Sequence, residues 1–307
     1  MLPHMRIHTL DLGFMGHQQA IAAFAVEGPD GLALVETGPA STLPALEAAL
    51  AQHGWSLADF PHVFLSHIHF DHAGAAWALA AQGATIYVHP KGLPHLAAPE
   101  KLYNSARMIY GDEMERLWGP MHPIAEERLY APAHGEVIEA AGLQFTAWHT
   151  PGHAVHHIAW ALASHSAPGG GEVFTGDVAG VRIGKGPVVP PCPPPDIHVE
   201  DWLNSIRLLR ELPAEHLRLT HFGLVTDKHS HLNALENRLL SAAEWMRPYA
   251  EARTPVEEVV PPFQAFVLAE LAQAGVDEEG LQRYDAANPA FMSVAGLMRY
   301  WQKVRGV

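Results

Sequence analysis

The segment at positions 66–74, SHIHFDHAG, constrains the fold of this chain more than any other. It carries three histidines and one aspartate within six positions. An apolar run at residues 63–65 precedes it and an alanine-rich stretch at residues 73–82 follows, so a buried strand is predicted to end here and a helix to begin. The cluster is therefore interpreted as a site at the edge of a core rather than as a solvated surface loop.

The spacing within this segment indicates two adjacent metal positions. Side chains two residues apart after a strand point the same way, so His67 and His69 can bind one ion. Asp71 and His72, at the start of the next helix, can turn toward a second ion beside it. Imidazoles and carboxylates suit a divalent metal such as zinc. Because the chain has 22 histidines, chance pairs are expected, and only spacing and context support this interpretation.

Three further candidate ligands follow apolar runs. The run at 143–148 leads into TPGH with His153, the run at 173–174 leads into TGD with Asp177, and the run at 217–219 leads into THFG with His221. Each signal is weak alone, because a single histidine after a strand is more often a hydrogen-bonded core residue. Together with the first cluster, they give five histidines and two aspartates at strand ends, where a rigid site can be built.

Apolar runs of strand length alternate with helical patterns, which predicts an α/β layered architecture. Strands are predicted at 20–26, 32–35 and 84–88, a helix at 42–52, and a hairpin turn at 168–171.

Residues 100–130 are predicted to be helical and carry large side chains, interpreted either as packing on the core or as a pocket wall or dimer face. Residues 184–196 hold six prolines and predict a stiff loop bordering a site. From about residue 229 the pattern is wholly helical, and the last helix is predicted to begin at Asn288-Pro289.

Composition excludes several classes of protein. The formal net charge of −14 disfavours nucleic acid as a partner, because an acidic surface repels phosphates. The single cysteine, Cys192, excludes an intrachain disulfide framework and a cysteine-based zinc site. The first residues lack the apolar region of a signal peptide, and no run of about 18 apolar residues predicts a membrane span. We therefore expect a soluble cytoplasmic protein with no membrane partner.

The segment HIHFDH resembles the HxHxDH signature of the metallo-β-lactamase superfamily. TPGH, FTGD and THFG follow in the order in which that family places its remaining ligands, and the early LVETGP is similar to its first hairpin. The resemblance implies a four-layered αβ/βα sandwich with metals at one edge, over residues 1–228, and a C-terminal helical extension over residues 229–307 packed on the core. It implies that His67, His69 and His153 bind a first divalent ion, that Asp71, His72 and His221 bind a second, and that Asp177 bridges both. Zinc is the ion expected, with iron or manganese as alternatives.

The same resemblance implies a hydrolase. In that family a hydroxide bridging two metal ions attacks an ester, lactone or thioester carbonyl of a small molecule, and Asp71 would orient it. TPGH is most similar to glyoxalase II-like thioesterases, but residues 178–182, VAGVR, replace the GCGR-type segment of true glyoxalase II. The tyrosine that quorum-quenching lactonases often carry after the bridging aspartate is also missing here, and Tyr110 is the substitute predicted to bind substrate.

Several alternatives remain open on the sequence alone. A mononuclear-iron persulfide dioxygenase, a phosphodiester hydrolase of the same fold and a metal-bound scaffold without activity would each have similar ligands. A homodimer is a further expectation. Among the other histidines, His156 and His157 are candidates for supporting the ligands, His149 for a structural role, and His229 and His231 for solvated or helix-capping positions.

Overall fold

Two six-stranded mixed sheets form the centre of the protein, and the computed structural model describes residues 5–163 and 170–307. The first sheet contains, in spatial order, β1 (Arg6–Asp11), β2 (Ala22–Gly28), β3 (Gly31–Val35), β4 (His62–Phe64), β5 (Thr85–Tyr87) and β6 (Leu129–Tyr130). The second contains β12 (Gly223–Val225), β11 (Ala214–Leu219), β10 (Gly171–Gly176), β9 (Ile158–Leu162), β8 (Leu143–His149) and β7 (Val137–Ala140). The hairpin turn predicted at 168–171 begins at residues 168–169, which lie outside the described residues.

Strand directions bring the loops that carry the candidate ligands to one edge. In the first sheet β3, β4, β5 and β6 are parallel, after an antiparallel β1–β2–β3 meander. In the second sheet β8 and β10 are both antiparallel to β9, and β11 is parallel to β10. The loops that follow β8, β10 and β11 therefore leave the second sheet at the same edge.

Aromatic and aliphatic side chains fill the space between the sheets. Phe64 on β4 stacks on Phe145 on β8, with ring centroids 4.2 Å apart, and contacts Trp160 on β9 at 4.8 Å. The Trp160 indole N–H donates to the Leu65 carbonyl across the interface at 2.9 Å. All three rings are fully buried. This contact fixes β4, and hence the HIHFDH segment that follows it, against the second sheet.

Helices cover the outer face of each sheet, which confirms the four-layered αβ/βα sandwich. The helices are α1 (Leu43–Ala51), α2 (Phe70–Ala73), α3 (Ala76–Ala81), α4 (Leu93–Ala97), α5 (Glu100–Tyr110), α6 (Met114–Leu117), α7 (Val199–Glu211), α8 (Lys228–Glu251), α9 (Val256–Gln273), α10 (Glu278–Ala287) and α11 (Ala290–Arg299), the last continued by a π-helical turn at Tyr300–Arg305. Leu46, Leu50 and Leu79 pack on the first sheet, and Trp202, Leu235 and Leu239 pack on the second.

The helices of the C-terminal part belong to the same buried cluster as the second sheet. Leu232 on α8 and Leu297 on α11 share that cluster with Leu217 on β11. The helical pattern from residue 229 and the last helix after Asn288-Pro289 are thus confirmed. No helix in residues 5–163 and 170–307 combines the length and apolar character needed to cross a bilayer.

The structure differs from the prediction in two places. The helix expected over residues 100–130 ends at Tyr110, because Gly111 has a φ of 54° and Gly119 a φ of 67°, and Pro120 and Pro123 follow. Only the short α6 follows, and the chain then runs to β6. The predicted strand pair is present as β2 and β3, but β1, which pairs with β2, was not predicted, because only Leu10 of its six residues is buried.

Candidate metal centre

The seven predicted ligands come together in two clusters at the edge shared by the loops after β4, β8, β10 and β11. In the first cluster His67 Nε2 and His69 Nδ1 are 2.9 Å apart, and His153 Nε2 is 3.2 Å from each. These three atoms belong to one group that can hold a metal ion. A tetrahedral zinc ion with bonds of about 2.0–2.1 Å needs nitrogens roughly 3.3 Å apart, which is close to the spacing here.

The second cluster combines two carboxylates with two imidazoles. His72 Nε2 and His221 Nε2 lie 3.6 and 3.4 Å from Asp71 Oδ2, and each lies 3.3 Å from Asp177 Oδ1. Only Asp71 in this cluster has a side chain with appreciable exposure, 19%. Its carboxylate therefore borders the open side of the centre, while the others lie behind it.

Asp177 connects the two clusters. Its Oδ1 faces His72 and His221, whereas its Oδ2 lies 3.3 Å from His153 Nε2 in the first cluster. The turn before it allows this approach, because Gly176 has a φ of 47° and a Cβ there would lie 2.4 Å from Ser66 Oγ. A carboxylate with one oxygen toward each cluster is the geometry of a bridging ligand.

Hydrogen bonds behind the ligands fix which ring nitrogen carries the proton. His153 Nδ1 lies 2.9 Å from the Pro191 carbonyl, and His221 Nδ1 lies 2.6 Å from the Ala20 carbonyl. A carbonyl only accepts, so each Nδ1–H donates and each Nε2 presents its lone pair to the cluster when the ring is neutral. His72 Nδ1 similarly faces the Glu36 carboxylate at 3.1 Å.

The charges of the two clusters differ in the metal-free protein. Burial lowers the pKa of His67 well below its usual range and that of His69 to about 4, so both rings are neutral at pH 7. Burial also disfavours the charged form of His72, but Asp71, Asp177 and Glu36 outweigh it and raise the pKa of His72 well above its usual value. Burial would raise the pKa of Asp71, yet His72 and His221 lower it to about 2. Asp177 and Asp71 also raise the pKa of His221, so the carboxylates of the second cluster favour the charged form of its histidines, and a metal ion would displace those protons.

The donor set fits two divalent cations. Within the described residues, His72 Nε2, His221 Nε2 and Asp177 Oδ1 are buried and have no hydrogen-bond partner, although each is surrounded by polar atoms. Buried polar atoms without partners are rare in folded proteins, and an ion bound between them satisfies all three. The nitrogen and oxygen donors, with no sulfur, suit zinc and also iron or manganese.

Glu36 is a residue of the centre that the sequence did not single out. It is 1% exposed at the end of β3, with a φ of 63°. Besides its contact with His72, its carboxylate accepts from the Ser66 N–H and the Thr220 hydroxyl, each at 3.3 Å. Glu36 therefore ties together the loops that carry the first and last ligands. It stands in the LVETGP segment, where a single acidic residue after an apolar strand did not indicate a role in the centre.

The histidines outside the two clusters differ in their contacts and in their exposure. His157 accepts from the Asp177 N–H at 3.2 Å and contacts the Thr150 hydroxyl at 2.8 Å, so it holds the backbone of Asp177 in place. His156 packs against the rings of His67 and His69, with centroids 6.1 and 5.7 Å away. His229 is exposed, as predicted.

His149 is half-buried and its Nε2 contacts the Pro132 carbonyl at 3.0 Å, which fits its predicted structural role. The prediction for His231 is wrong: it is 2% exposed and its Nε2 contacts the Ala179 carbonyl at 2.8 Å. The first turn of α8 packs inward there, against the loop after Asp177.

Tyr110, the predicted substrate-binding residue, lies in an aromatic wall beside the centre. Phe70, between two ligands in sequence, contacts Trp118 at 6.1 Å, and Trp118 contacts Tyr110 at 5.3 Å. Burial raises the pKa of the Tyr110 hydroxyl, and the charge of Asp71 raises it further. The same hydroxyl lies 3.6 Å from the sulfur of Met292 at the start of α11. Both the segment after residue 100 and the C-terminal helices thus contribute to this wall.

Two curated proteins are similar to this chain in sequence. A metallo-beta-lactamase fold-containing protein of Sulfurisphaera tokodaii is 27% identical over 183 residues, covering 56% of this chain and 67% of that protein. A hydroxyacylglutathione hydrolase of Xanthomonas campestris pv. campestris is 27% identical over 194 residues, covering 63% of this chain and 57% of that enzyme. The match thus spans less than two thirds of the length of the Xanthomonas enzyme.

Two solved structures are similar to this chain in fold. A metallo-beta-lactamase family protein of Thermus thermophilus superposes with a TM-score of 0.64 and 20% identity, covering 98% of this chain and 94% of that one. The subclass B3 metallo-beta-lactamase MEM-A1, from a soil metagenome library, superposes with a TM-score of 0.57 and 22% identity, covering 76% of this chain and 91% of that one. The profile of the Metallo-beta-lactamase superfamily matches residues 19–221. That match covers more than half of the chain, and the chain therefore belongs to the metallo-beta-lactamase superfamily.

Proposed function

We propose that this protein is a dinuclear metal-dependent hydrolase that cleaves an ester, lactone or thioester bond of a small molecule. The observation that carries the proposal is the position of Asp177, whose two oxygens face two separate clusters of buried ligands. A site for one ion would need only one of these clusters. A scaffold without activity would not require the partly exposed carboxylate of Asp71 at the open side of the second cluster.

The chemistry divides between the bound ions and the chain. Two divalent ions, when bound, acidify water and polarise a carbonyl oxygen, so no serine or cysteine nucleophile is needed. His67, His69 and His153 would hold one ion and Asp71, His72 and His221 the other, with Asp177 shared. Cys192 is fully buried, and burial raises the pKa of its thiol, which leaves it unreactive.

Asp71 is the residue of the chain that we propose to act on water. Its carboxylate is the most exposed in the second cluster and has a pKa of about 2, so it is ionised at neutral pH. In this position it can accept a hydrogen bond from water approaching from the open side and orient the oxygen toward substrate. His72 and His221, fixed from behind by Glu36 and the Ala20 carbonyl, hold Asp71 in place.

We propose zinc as the native ion and a small carbonyl compound as the substrate. Five imidazoles and two carboxylates are the ligands that zinc takes in hydrolytic sites. The likeness to a hydroxyacylglutathione hydrolase supports a thioester or a related acyl bond as the target. The net charge of −14 disfavours nucleic acid. Residues 178–182 do not match the GCGR-type segment, which points to an acyl compound other than a glutathione thioester.

Tyr110 and the aromatic wall would accommodate the apolar part of that substrate. Phe291, 39% exposed, lies 6.3 Å from the Tyr110 ring and extends the wall to the surface. A wall of aromatic rings beside a polar centre is the usual composition of a small-molecule pocket. Substrates with an aliphatic or aromatic acyl group should therefore be cleaved faster than small charged ones.

One experiment tests the proposal. The metal content of the purified protein is measured, and a panel of esters, lactones, thioesters and phosphodiesters is assayed with and without a chelator. We expect about two zinc ions per chain and chelator-sensitive cleavage of a carbonyl substrate. One iron ion per chain with oxygen consumption would instead favour a persulfide dioxygenase-like oxidoreductase, and cleavage of phosphodiesters alone would exclude the acyl substrate class.

A further inference from the structure

The proline-rich loop at residues 184–196 cannot satisfy its own backbone. Its six prolines lack N–H groups, so carbonyls in the loop need donors from elsewhere. The only β-bridge that touches it in the described chain joins Val181 and Val189. One of its carbonyls, that of Pro191, accepts the hydrogen bond that orients His153. The position of this ligand therefore depends on what holds the loop.

The C-terminal helices supply polar partners on both sides of Pro191. Ser293 on α11 accepts from the Cys192 N–H at 3.2 Å and donates to the Asn288 side-chain oxygen at 3.1 Å. The Asn288 amide in turn lies 3.5 Å from the Pro190 carbonyl. Ser293 is 2% exposed, so this network is shielded from water.

Further contacts hold the two ends of the loop. The Tyr284 hydroxyl on α10 donates to the Pro187 carbonyl at 2.6 Å and accepts from the Ile183 N–H at 3.1 Å. Arg299 Nε on α11 donates to the Pro195 carbonyl at 3.1 Å. The helix backbone also approaches directly, because a Cβ at Gly296 would lie 1.9 Å from the Cys192 carbonyl oxygen.

We propose that the C-terminal helices position the metal ligand His153 through the proline-rich loop, with Ser293 and Tyr284 as the principal positioning residues. The inference rests on the proposed function in that it assigns these residues to the same metal centre. It gives the helical part of the chain a role in metal binding in addition to its packing on the second sheet. Neither residue touches a ligand directly, so both act through the Pro191 carbonyl.

The test uses cobalt titration of the metal-free full-length protein, followed by visible absorption. Loss of a partner that orients a metal-bound histidine typically weakens metal binding by about 10–100-fold. We expect Ser293→Ala and Tyr284→Phe to weaken one of the two binding steps by about tenfold and to shift the cobalt absorption of that step, leaving the other unchanged. Gly296→Ala should have a larger effect but risks misfolding, and Ser293→Ala, which removes a single oxygen, keeps the test interpretable.

Matched controls separate positioning from general destabilisation. Tyr300, in the turn that continues α11, donates its hydroxyl to the Glu200 carboxylate on α7 at 3.0 Å rather than to a carbonyl of the loop. Tyr300→Phe should therefore lower stability as Tyr284→Phe does, but leave both cobalt affinities unchanged. Ser241→Ala, at an exposed position on α8, should change neither. Equal cobalt affinities in the wild type, Ser293→Ala and Tyr284→Phe would overturn the inference.

A second measurement distinguishes this inference from the proposed function. The imidazole N–H of His153 is followed by nitrogen-15 NMR in the metal-free protein, where its hydrogen bond to Pro191 needs no ion. We expect this signal to shift or to exchange faster with water in Ser293→Ala and to stay in place in Tyr300→Phe. A wild type that binds no cobalt would refute the proposed function, while an unshifted His153 signal in Ser293→Ala would refute the positioning role.

Discussion

Asp177 is the residue on which the two ligand clusters depend, because its two oxygens face different clusters. Asp177→Ala should reduce the bound metal from about two ions per chain to one or fewer, and hydrolysis should fall by at least about 100-fold as the bridge is lost. The measurements are elemental analysis of the purified variant and the rate with the best substrate of the panel.

Asp201 provides the control for this substitution. It lies in the first turn of α7 with an exposed side chain, and Asp201→Ala should keep both the metal content and the rate. If Asp177→Ala retained two ions and full activity, the bridging role assigned to this carboxylate would be wrong.

Glu36 should affect one cluster only. Glu36→Gln keeps the shape of the side chain but removes the negative charge that His72 Nδ1 faces at 3.1 Å. In a cobalt titration, we expect the metal affinity of the second cluster, which contains His72, to fall about 10–100-fold. The affinity of the first cluster should not change. Glu27→Gln, at a half-buried position on the neighbouring β2, should leave both steps intact. Equal weakening of the two steps would show that Glu36 supports the fold of the edge rather than His72.

At the level of single residues, the sequence predicted the side chains that converge in the two clusters but not the groups that support them. The ligands follow apolar runs and occur in short motifs, so local sequence places them at strand ends. Glu36, Ser66 and the Pro191 carbonyl act through contacts between segments distant in sequence, and a lone acid, a serine or a backbone carbonyl carries no local signal. His231 was misinterpreted for the same reason, since its partner, the Ala179 carbonyl, is 52 residues away.

At the scale of elements, the short strand β4 carries the first ligands, and Phe64 anchors it between the sheets. Phe64→Ala should lower the free energy of unfolding by about 3–5 kcal/mol, because it leaves a cavity against Phe145 and Trp160. Urea unfolding of the metal-free protein measures the loss. Leu224→Ala, at a side chain 48% exposed on β12, should cost less than about 1 kcal/mol. Similar losses for both variants would contradict the central position of β4.

The sequence predicted most strands and the C-terminal helices because their apolar periodicity is set by burial on one face. It overextended the helix after residue 100, since the large side chains of residues 114–118 continue a helical pattern that Gly111 interrupts at a positive φ. Tyr110, predicted as a substrate-binding residue, lies at the end of the shortened helix. Its contact with Met292 could not be predicted, because no local pattern brings together residues 182 positions apart.

For the molecule as a whole, buried neutral histidines make stability depend on pH. Burial lowers the pKa of His231 to about 4, despite the opposing hydrogen bond to Ala179. As the pH falls below about 6.5, His231 becomes protonated in the unfolded chain but stays neutral in the folded chain. The free energy of unfolding therefore decreases until about pH 4, where the folded chain is protonated as well. The contribution of His231 alone is about 3 kcal/mol over this interval. The contribution of His231 should therefore be fully present above about pH 6.5 and lost by about pH 4.

The substitution His231→Gln isolates this contribution. Glutamine can still donate a hydrogen bond to the Ala179 carbonyl but does not titrate, so the free energy of unfolding should fall less steeply between pH 6.5 and 4 than in the wild type. Urea unfolding at several pH values in this interval gives the slopes. The exposed neighbour His229 is the control, and His229→Gln should keep the wild-type slope. An unchanged slope in His231→Gln would show that His231 is protonated in the folded protein.

X-ray diffraction with anomalous scattering at the zinc edge would show whether the seven side chains from four loops converge on a pair of ions. Crystals grown without chelator should show two anomalous peaks, one among His67, His69 and His153 and one among Asp71, His72 and His221, with an Asp177 oxygen beside each. Crystals with added zinc that showed no peak in either cluster, or a single peak with Asp177 turned away, would show that these side chains do not form a two-ion centre.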